Sequence, residues 1–196
     1  LYSLKLHISF LNFKLRHICD FSIKKIMKSN KNLVLIGMMG SGKSTVGSLI
    51  SKKLNLKFVD IDNILENEAK MKISEIFKKK GENFFRSLEE KVTLKVLNST
   101  NNVVSLGGGG FLNNKIRKEV LKNNFSVWLN CDAKTLLYRI KKSKKRPVVF
   151  NLNDSKILEL ITERTEIYSR AKFKINCDKL NKNEIASKII KIYENN

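Results

Sequence analysis

The stretch Gly37-Met38-Met39-Gly40-Ser41-Gly42-Lys43-Ser44-Thr45 follows the apolar run Leu33-Val34-Leu35-Ile36 and leads into Val46-Gly47-Ser48-Leu49-Ile50. Its spacing is G-x-x-x-x-G-K-[ST] between a strand signal and a helix signal, the context that a phosphate-binding P-loop requires. Glycines let backbone N–H groups wrap a phosphate chain, and the start of the helix adds a positive dipole end. In such a loop Lys43 reaches the β- and γ-phosphates and the Ser44 hydroxyl serves Mg²⁺, while Gly40, Ser41, Gly42 and Thr45 complete the nucleotide-binding surface. A glycine-rich turn with an accidental lysine needs neither the strand before it nor the helix after it. The loop therefore predicts nucleoside triphosphate binding and says nothing of the acceptor.

Working outward, apolar strand signals at Leu33–Ile36, Lys57–Val59, Val103–Leu106, Phe125–Leu129 and Phe173–Asn176 alternate with helical patterns. The helices are expected over Lys43–Leu54, over Ile64 to about Ser99 with Gly81 dividing it, over Lys115–Lys122, from Ala133, over 154–169 and over Glu184–Tyr193. Strands alternating with helices give a parallel α/β sheet with helices on both faces. Ligands of such sheets bind beyond the carboxyl ends of the strands. This brings three segments far apart in sequence to one crevice: the P-loop, Asp60-Ile61-Asp62 and Gly107-Gly108-Gly109-Gly110. The run Lys141-Lys142-Ser143-Lys144-Lys145-Arg146-Pro147 is too charged to pack and reads as a mobile loop, a lid over about 141–152 that carries Arg146.

The 196 residues suit one domain, read as 27–196, with an appendage at 1–26. That appendage is basic, with Asp20 its sole acid, and reads as sequence upstream of a start at Met27. An organelle-targeting segment is the alternative. The net charge of +21 invites a nucleic-acid hypothesis. Its lysines are scattered through the chain, however, and no nucleic-acid motif accompanies them; the expectation is no nucleic-acid partner. Only seven of the 39 basic residues are arginines, at 16, 86, 117, 139, 146, 164 and 170. Where lysine otherwise serves, a surviving arginine marks a site that needs a rigid planar fork. Cys19, Cys131 and Cys177 lack metal-ligand spacing and indicate a reduced compartment. No apolar run approaches the roughly 20 residues of a membrane-spanning helix.

Asp60 and Asp62 lie two apart beyond a strand, so an extended chain would aim both at one side. A Mg²⁺ shell for Asp60 and a substrate hydroxyl for Asp62 would settle their repulsion; a helix N-cap pair is the alternative. Arg86 and Glu89, three apart after Gly81-Glu82-Asn83-Phe84-Phe85, share a helix face and form either a structural ion pair or a fork held ready for an anion. Four consecutive glycines have no packing role as a block and fit a place where backbone comes close to a ligand.

In this order and spacing the motifs resemble the shikimate kinase family, from about Asn32 to Asp178. The match rests on Gly37–Thr45, Phe58-Val59-Asp60-Ile61-Asp62, Gly81–Arg86 with Glu89, Ser105–Gly109, Arg146-Pro147, and Arg164 followed by Tyr168 and Ala171. The resemblance implies a three-layer fold with a central five-stranded parallel sheet and ATP-dependent phosphorylation of the 3-hydroxyl of shikimate, in the route to aromatic amino acids. It implies that Asp62 contacts shikimate hydroxyls, Arg86 and Arg164 clamp its carboxylate, and the Gly107, Gly108 and Gly109 backbone contacts it. Phe77 and Phe85 would wall the pocket, Arg139 would lie against adenine, and Arg146 would come from the lid. The expected catalytic set is Lys43, Asp62 and Arg146; the expected metal is one Mg²⁺ held through Ser44 and Asp60. The expected partners are ATP and shikimate, for a cytoplasmic monomer without a membrane partner. Three departures stand out: Val148-Val149 after Pro147, where leucines are usual; Asp178-Lys179-Leu180, without the arginine often found on the adenine side; and the basic N-terminal extension, which has no counterpart. A kinase for another hydroxylated acid, such as gluconate, and a basic nucleotide-regulated binding protein are the rival readings.

Overall fold

Leu33, Val34, Leu35 and Ile36 are all buried, the pattern of a strand covered on both faces rather than one. They form β1, the centre of the sheet in the structure, a computed structural model that describes residues 30–142, 149 and 152–196. The other strands are β2 (Lys57–Asp60), β3 (Asn102–Ser105), β4 (Phe125–Asn130) and β5 (Phe173–Asn176), in the order β2-β3-β1-β4-β5. Every pairing is parallel, with Leu33 opposite Val103 on one side and Phe125 on the other. The α/β fold with a central five-stranded parallel sheet is thus as expected.

Among the described residues seven α-helices connect the strands: α1 (Lys43–Leu54), α2 (Ile61–Ala69), α3 (Ile73–Leu97), α4 (Asn114–Asn123), α5 (Ala133–Lys142), α6 (Asp154–Tyr168) and α7 (Lys182–Glu194). Helix α1 packs with α7, α3 with α2 and α4, and α5 with α6. None is long and apolar enough to cross a membrane. Residues 1–26 and Arg146 lie outside the described residues; so does most of the expected lid, of which Lys141, Lys142, Val149 and Leu152 are described. At its base Lys141 pairs with Asp154 at 2.8 Å, joining the end of α5 to the start of α6.

One difference from the sequence expectations has a clear cause. Helix α2 begins at Ile61, not Ile64, because the Asp60 carboxylate accepts the Asp62 N–H at 3.1 Å and caps it. Asp60 and Asp62 are therefore not consecutive positions on an extended chain, and the expectation that both side chains point one way by strand alternation is corrected. Gly81 divides α3 as expected: two helical segments meet there at a kink, with Gly81 at φ 82 and ψ 170, backbone that glycine alone adopts readily.

At the amino-terminal end of the sheet Asn32, 1% exposed, ties three strands together. Its amide donates to Leu97 O, Ser99 O and Asn124 Oδ1 and accepts from Asn102 at 3.0–3.1 Å. Fully satisfied buried polar groups of this kind fix alignment, since every misplacement leaves an unpaired donor or acceptor. The opposite end of the sheet is left to the site.

Candidate active site

The P-loop leaves β1 at Gly37 and enters α1 through Gly42, whose φ of 92 makes the turn. Lys43 is the first residue of α1, and its ammonium folds back to donate to Gly37 O at 2.8 Å and Met38 O at 2.9 Å. Arg139, from α5, donates to Gly40 O at 3.0 Å, placing its guanidinium at the outer edge of the same loop. The Ser44 hydroxyl donates to Asp60 at 2.5 Å, joining the ends of the P-loop and β2. An exposed hydroxyl beside a carboxylate is a set of hard oxygen donors, which suits Mg²⁺. A cleft along this loop is lined by Gly40, Gly42, Lys43, Ser44 and Thr45, with Ser105 at the end of β3 as a further wall. Ser105 has no chemical signal of its own in the sequence, and only the register that aligns it with Asp60 places it here.

A second cleft opens beside the first and is built from side chains of several elements. Arg86 of α3 donates Nη1 to Glu89 at 2.7 Å, and Glu82 accepts from its Nε and Nη2 at 3.2 and 3.1 Å. Burial alone would lower the Arg86 pKa, but its hydrogen bond to Glu89 and the charge of that carboxylate, with Glu82 behind, raise it above the ordinary value. The pair expected between Arg86 and Glu89 is present, and Glu89 is only 2% exposed. Phe77 and Phe85 meet with ring centroids 4.7 Å apart, and both line this cleft. Arg164 of α6, 6% exposed, donates Nη1 to Gly108 O at 3.4 Å and approaches Met38 Sδ at 3.7 Å, while its Nε is buried without a partner among the described residues. A buried guanidinium N–H without a partner is unfavourable, and an anion in the cleft that Arg164 lines is the chemistry that would relieve it.

The glycine run packs more tightly than expected. A Cβ at Gly107 would stand 2.8 Å from Glu89 Oε1 and 2.9 Å from Asp62 Oδ1. One at Gly109 would collide with the Arg86 guanidinium, and one at Gly108 would lie 3.4 Å from Met39 N. The reading that the block has no packing role is corrected: the glycines are the floor on which Asp62, Glu89, Arg86 and Arg164 converge. Asp62 and Met39 line both clefts, so the two adjoin at these residues.

On the far side of the P-loop, Cys131 and Cys177 follow β4 and β5 and are buried. Their thiols donate to Ser41 O and Ile175 O; the interaction between the two sulfurs lowers the Cys131 pKa, helped by the Arg139 charge, and together with burial raises that of Cys177. In the segment lacking the usual arginine, Asp178 instead accepts the Asp132 N–H at 2.7 Å.

A P-loop at the carboxyl edge of a parallel sheet, adjoining an arginine-lined pocket, defines a kinase of small anionic molecules. Comparison with known proteins narrows the class. The family profile described as shikimate kinase matches residues 39–194. A shikimate kinase from Sulfurihydrogenibium sp. (strain YO3AOP1) is 42% identical over 160 residues, covering 82% of this chain and 96% of the relative. The structure of shikimate kinase from Acinetobacter baumannii in complex with shikimate superposes with a TM-score of 0.81 at 28% identity, covering 86% of this chain and 95% of that one. That of shikimate kinase from Aquifex aeolicus gives 0.73 at 36% identity, covering 81% and 94%. The chain belongs to the shikimate kinase family.

Proposed function

We propose that the chain carries out its family's reaction, ATP-dependent phosphorylation of the 3-hydroxyl of shikimate, across the junction of the two clefts. The observation that carries this reading is the placement of Asp62: it lines the P-loop cleft and the arginine cleft at once. A hydroxyl bound beside it therefore faces the phosphate donor, and transfer by this route depends on positioning and charge neutralisation rather than covalent catalysis.

On the donor side Lys43 exchanges its bonds to the Gly37 and Met38 carbonyls for phosphate oxygens. Gly40, Ser41, Gly42, Ser44 and Thr45 supply the remaining loop contacts, and Arg139 lies towards the base. An ATP-using kinase implies a divalent metal, generally Mg²⁺, which when bound neutralises charge on the phosphates; Ser44 and Asp60 are the residues that would hold it. On the acceptor side Arg86 and Arg164 bind the shikimate carboxylate, as the held fork of Arg86 and the unpartnered Nε of Arg164 suggest. The Gly107–Gly109 backbone lies against the substrate, and Asp62 orients the hydroxyl and accepts its proton. Arg146, by the family pattern, meets the transferred phosphoryl.

The test is ADP release with shikimate beside gluconate as acceptor. Turnover with shikimate alone is expected; equal turnover with gluconate would overturn the acceptor assignment. Binding of polynucleotide without shikimate-dependent turnover would favour the rival reading of the basic surface.

A further inference from the structure

Arg164 and Tyr168 lie four residues apart on α6, one turn along the same face. Both reach one atom. The carbonyl oxygen of Gly108 accepts from Arg164 Nη1 at 3.4 Å and from the Tyr168 hydroxyl. A carbonyl has two lone pairs and can take both donors at once. Tyr168 is 2% exposed, its ring tilted against Trp128 at a centroid distance of 6.4 Å. A side chain buried so deeply could fill its space as phenylalanine; the hydroxyl is the part that meets the site.

The peptide joining Gly108 to Gly109 is planar, and the described residues contain no cis bonds. Holding the Gly108 carbonyl towards α6 therefore fixes the Gly109 N–H on the opposite side of the same plane. These glycines need such a hold, because glycine is the residue with the greatest backbone freedom to lose. Both line the acceptor cleft, Gly108 against the P-loop at Met39 and Gly109 against Arg86.

We propose that Tyr168 is a positioning residue of the acceptor side: its hydroxyl pins the Gly108 carbonyl, and so sets both the glycine backbone and the rest position of Arg164 for the shikimate carboxylate. With that carbonyl already satisfied by tyrosine, the long bond from Arg164 is free to yield to the substrate. The inference rests on reading Arg164 as part of the carboxylate clamp.

The experiment compares Y168F with R164K, measuring KM for shikimate and for ATP separately and the shikimate Kd from the emission of Trp128, the one tryptophan of the chain. Y168F keeps the ring and its contact with Trp128. It is expected to raise the shikimate KM and Kd about 3- to 10-fold, the effect of one net hydrogen bond, with kcat within about twofold and the ATP KM unchanged. An unchanged shikimate KM, an ATP KM rising in step with it, or loss of folded protein would assign the hydroxyl to the scaffold and overturn the proposal. If R164K itself leaves the shikimate KM unchanged, the clamp reading has failed. If R164K raises it and Y168F does not, only the role of Tyr168 has failed.

Discussion

The two clefts are made in opposite ways. The donor side is one contiguous loop whose carbonyls are held by Lys43 and Arg139, so its shape is largely a property of backbone. The acceptor side is assembled from α2, α3, α6 and the loop after β3, and its shape is a property of side chains meeting over glycines. A backbone site serves any molecule carrying the same phosphate chain. A side-chain site recognises one acceptor, because each fork and carboxylate must match a particular group. Generality on one side and selectivity on the other follow from this difference in construction.

Substitutions should separate the two halves. The largest effect is expected at Lys43: K43A should lower kcat by about 10²–10³-fold, as loss of a transition-state charge contact does. Its shikimate Kd should stay near that of the unmodified protein, and a large rise there would show that the halves are not independent. R86K replaces a bidentate fork by a point charge and should weaken shikimate binding by about 1–3 kcal/mol, read as a raised KM with ATP KM unaltered. G109A puts a methyl group where the Arg86 guanidinium lies. The guanidinium is the end of a flexible side chain and can shift, so a shikimate KM about tenfold higher is expected, for a misplaced clamp rather than a missing one. If G109A instead abolished nucleotide binding, the division between the halves would be misplaced. The smallest effect is expected outside both clefts. Lys141 and Asp154 are a pair with more than half of each side chain exposed. D154N should therefore alter thermal stability by less than about 1 kcal/mol, and by less still at high salt.

The same division governs how much of the molecule is legible in its amino-acid sequence. The P-loop is legible because its chemistry is local: four constrained positions within eight residues state strand, turn, phosphate and helix together. The alternation of strands and helices is legible for a similar reason, since β1 and β4 are buried along almost their whole length and show as largely apolar runs, and β3 shows through Val103 and Val104. The acceptor residues are visible one at a time, as scarce arginines and a run of glycines, and it takes the family resemblance to assemble them. What the chain does not disclose depends on distance in sequence. The sequence offers Asp60 as either a metal ligand or a helix cap, and it is where the chain turns that makes it a cap as well as a partner of Ser44. The glycines read as bare ligand backbone because nothing local says that Glu89, Asp62 and Arg86 crowd them. Tyr168 enters the family match beside Arg164, but its partner does not show locally: its hydroxyl reaches a carbonyl sixty residues away along the chain.

The kink at Gly81 has a consequence for where the pocket comes from. Phe77 and Phe85 are eight residues apart, and in an unbroken helix they would be separated by about 12 Å along the axis. Their rings are instead 4.7 Å apart, on either side of a glycine that breaks the helical path. The aromatic wall of the acceptor pocket is thus a by-product of a fault in a helix. No Cβ clash forbids a side chain at Gly81; only its backbone angles do. A substitution that pulled this bend towards straight would part the two rings and dismantle the wall while leaving every other residue that lines the pocket in the sequence.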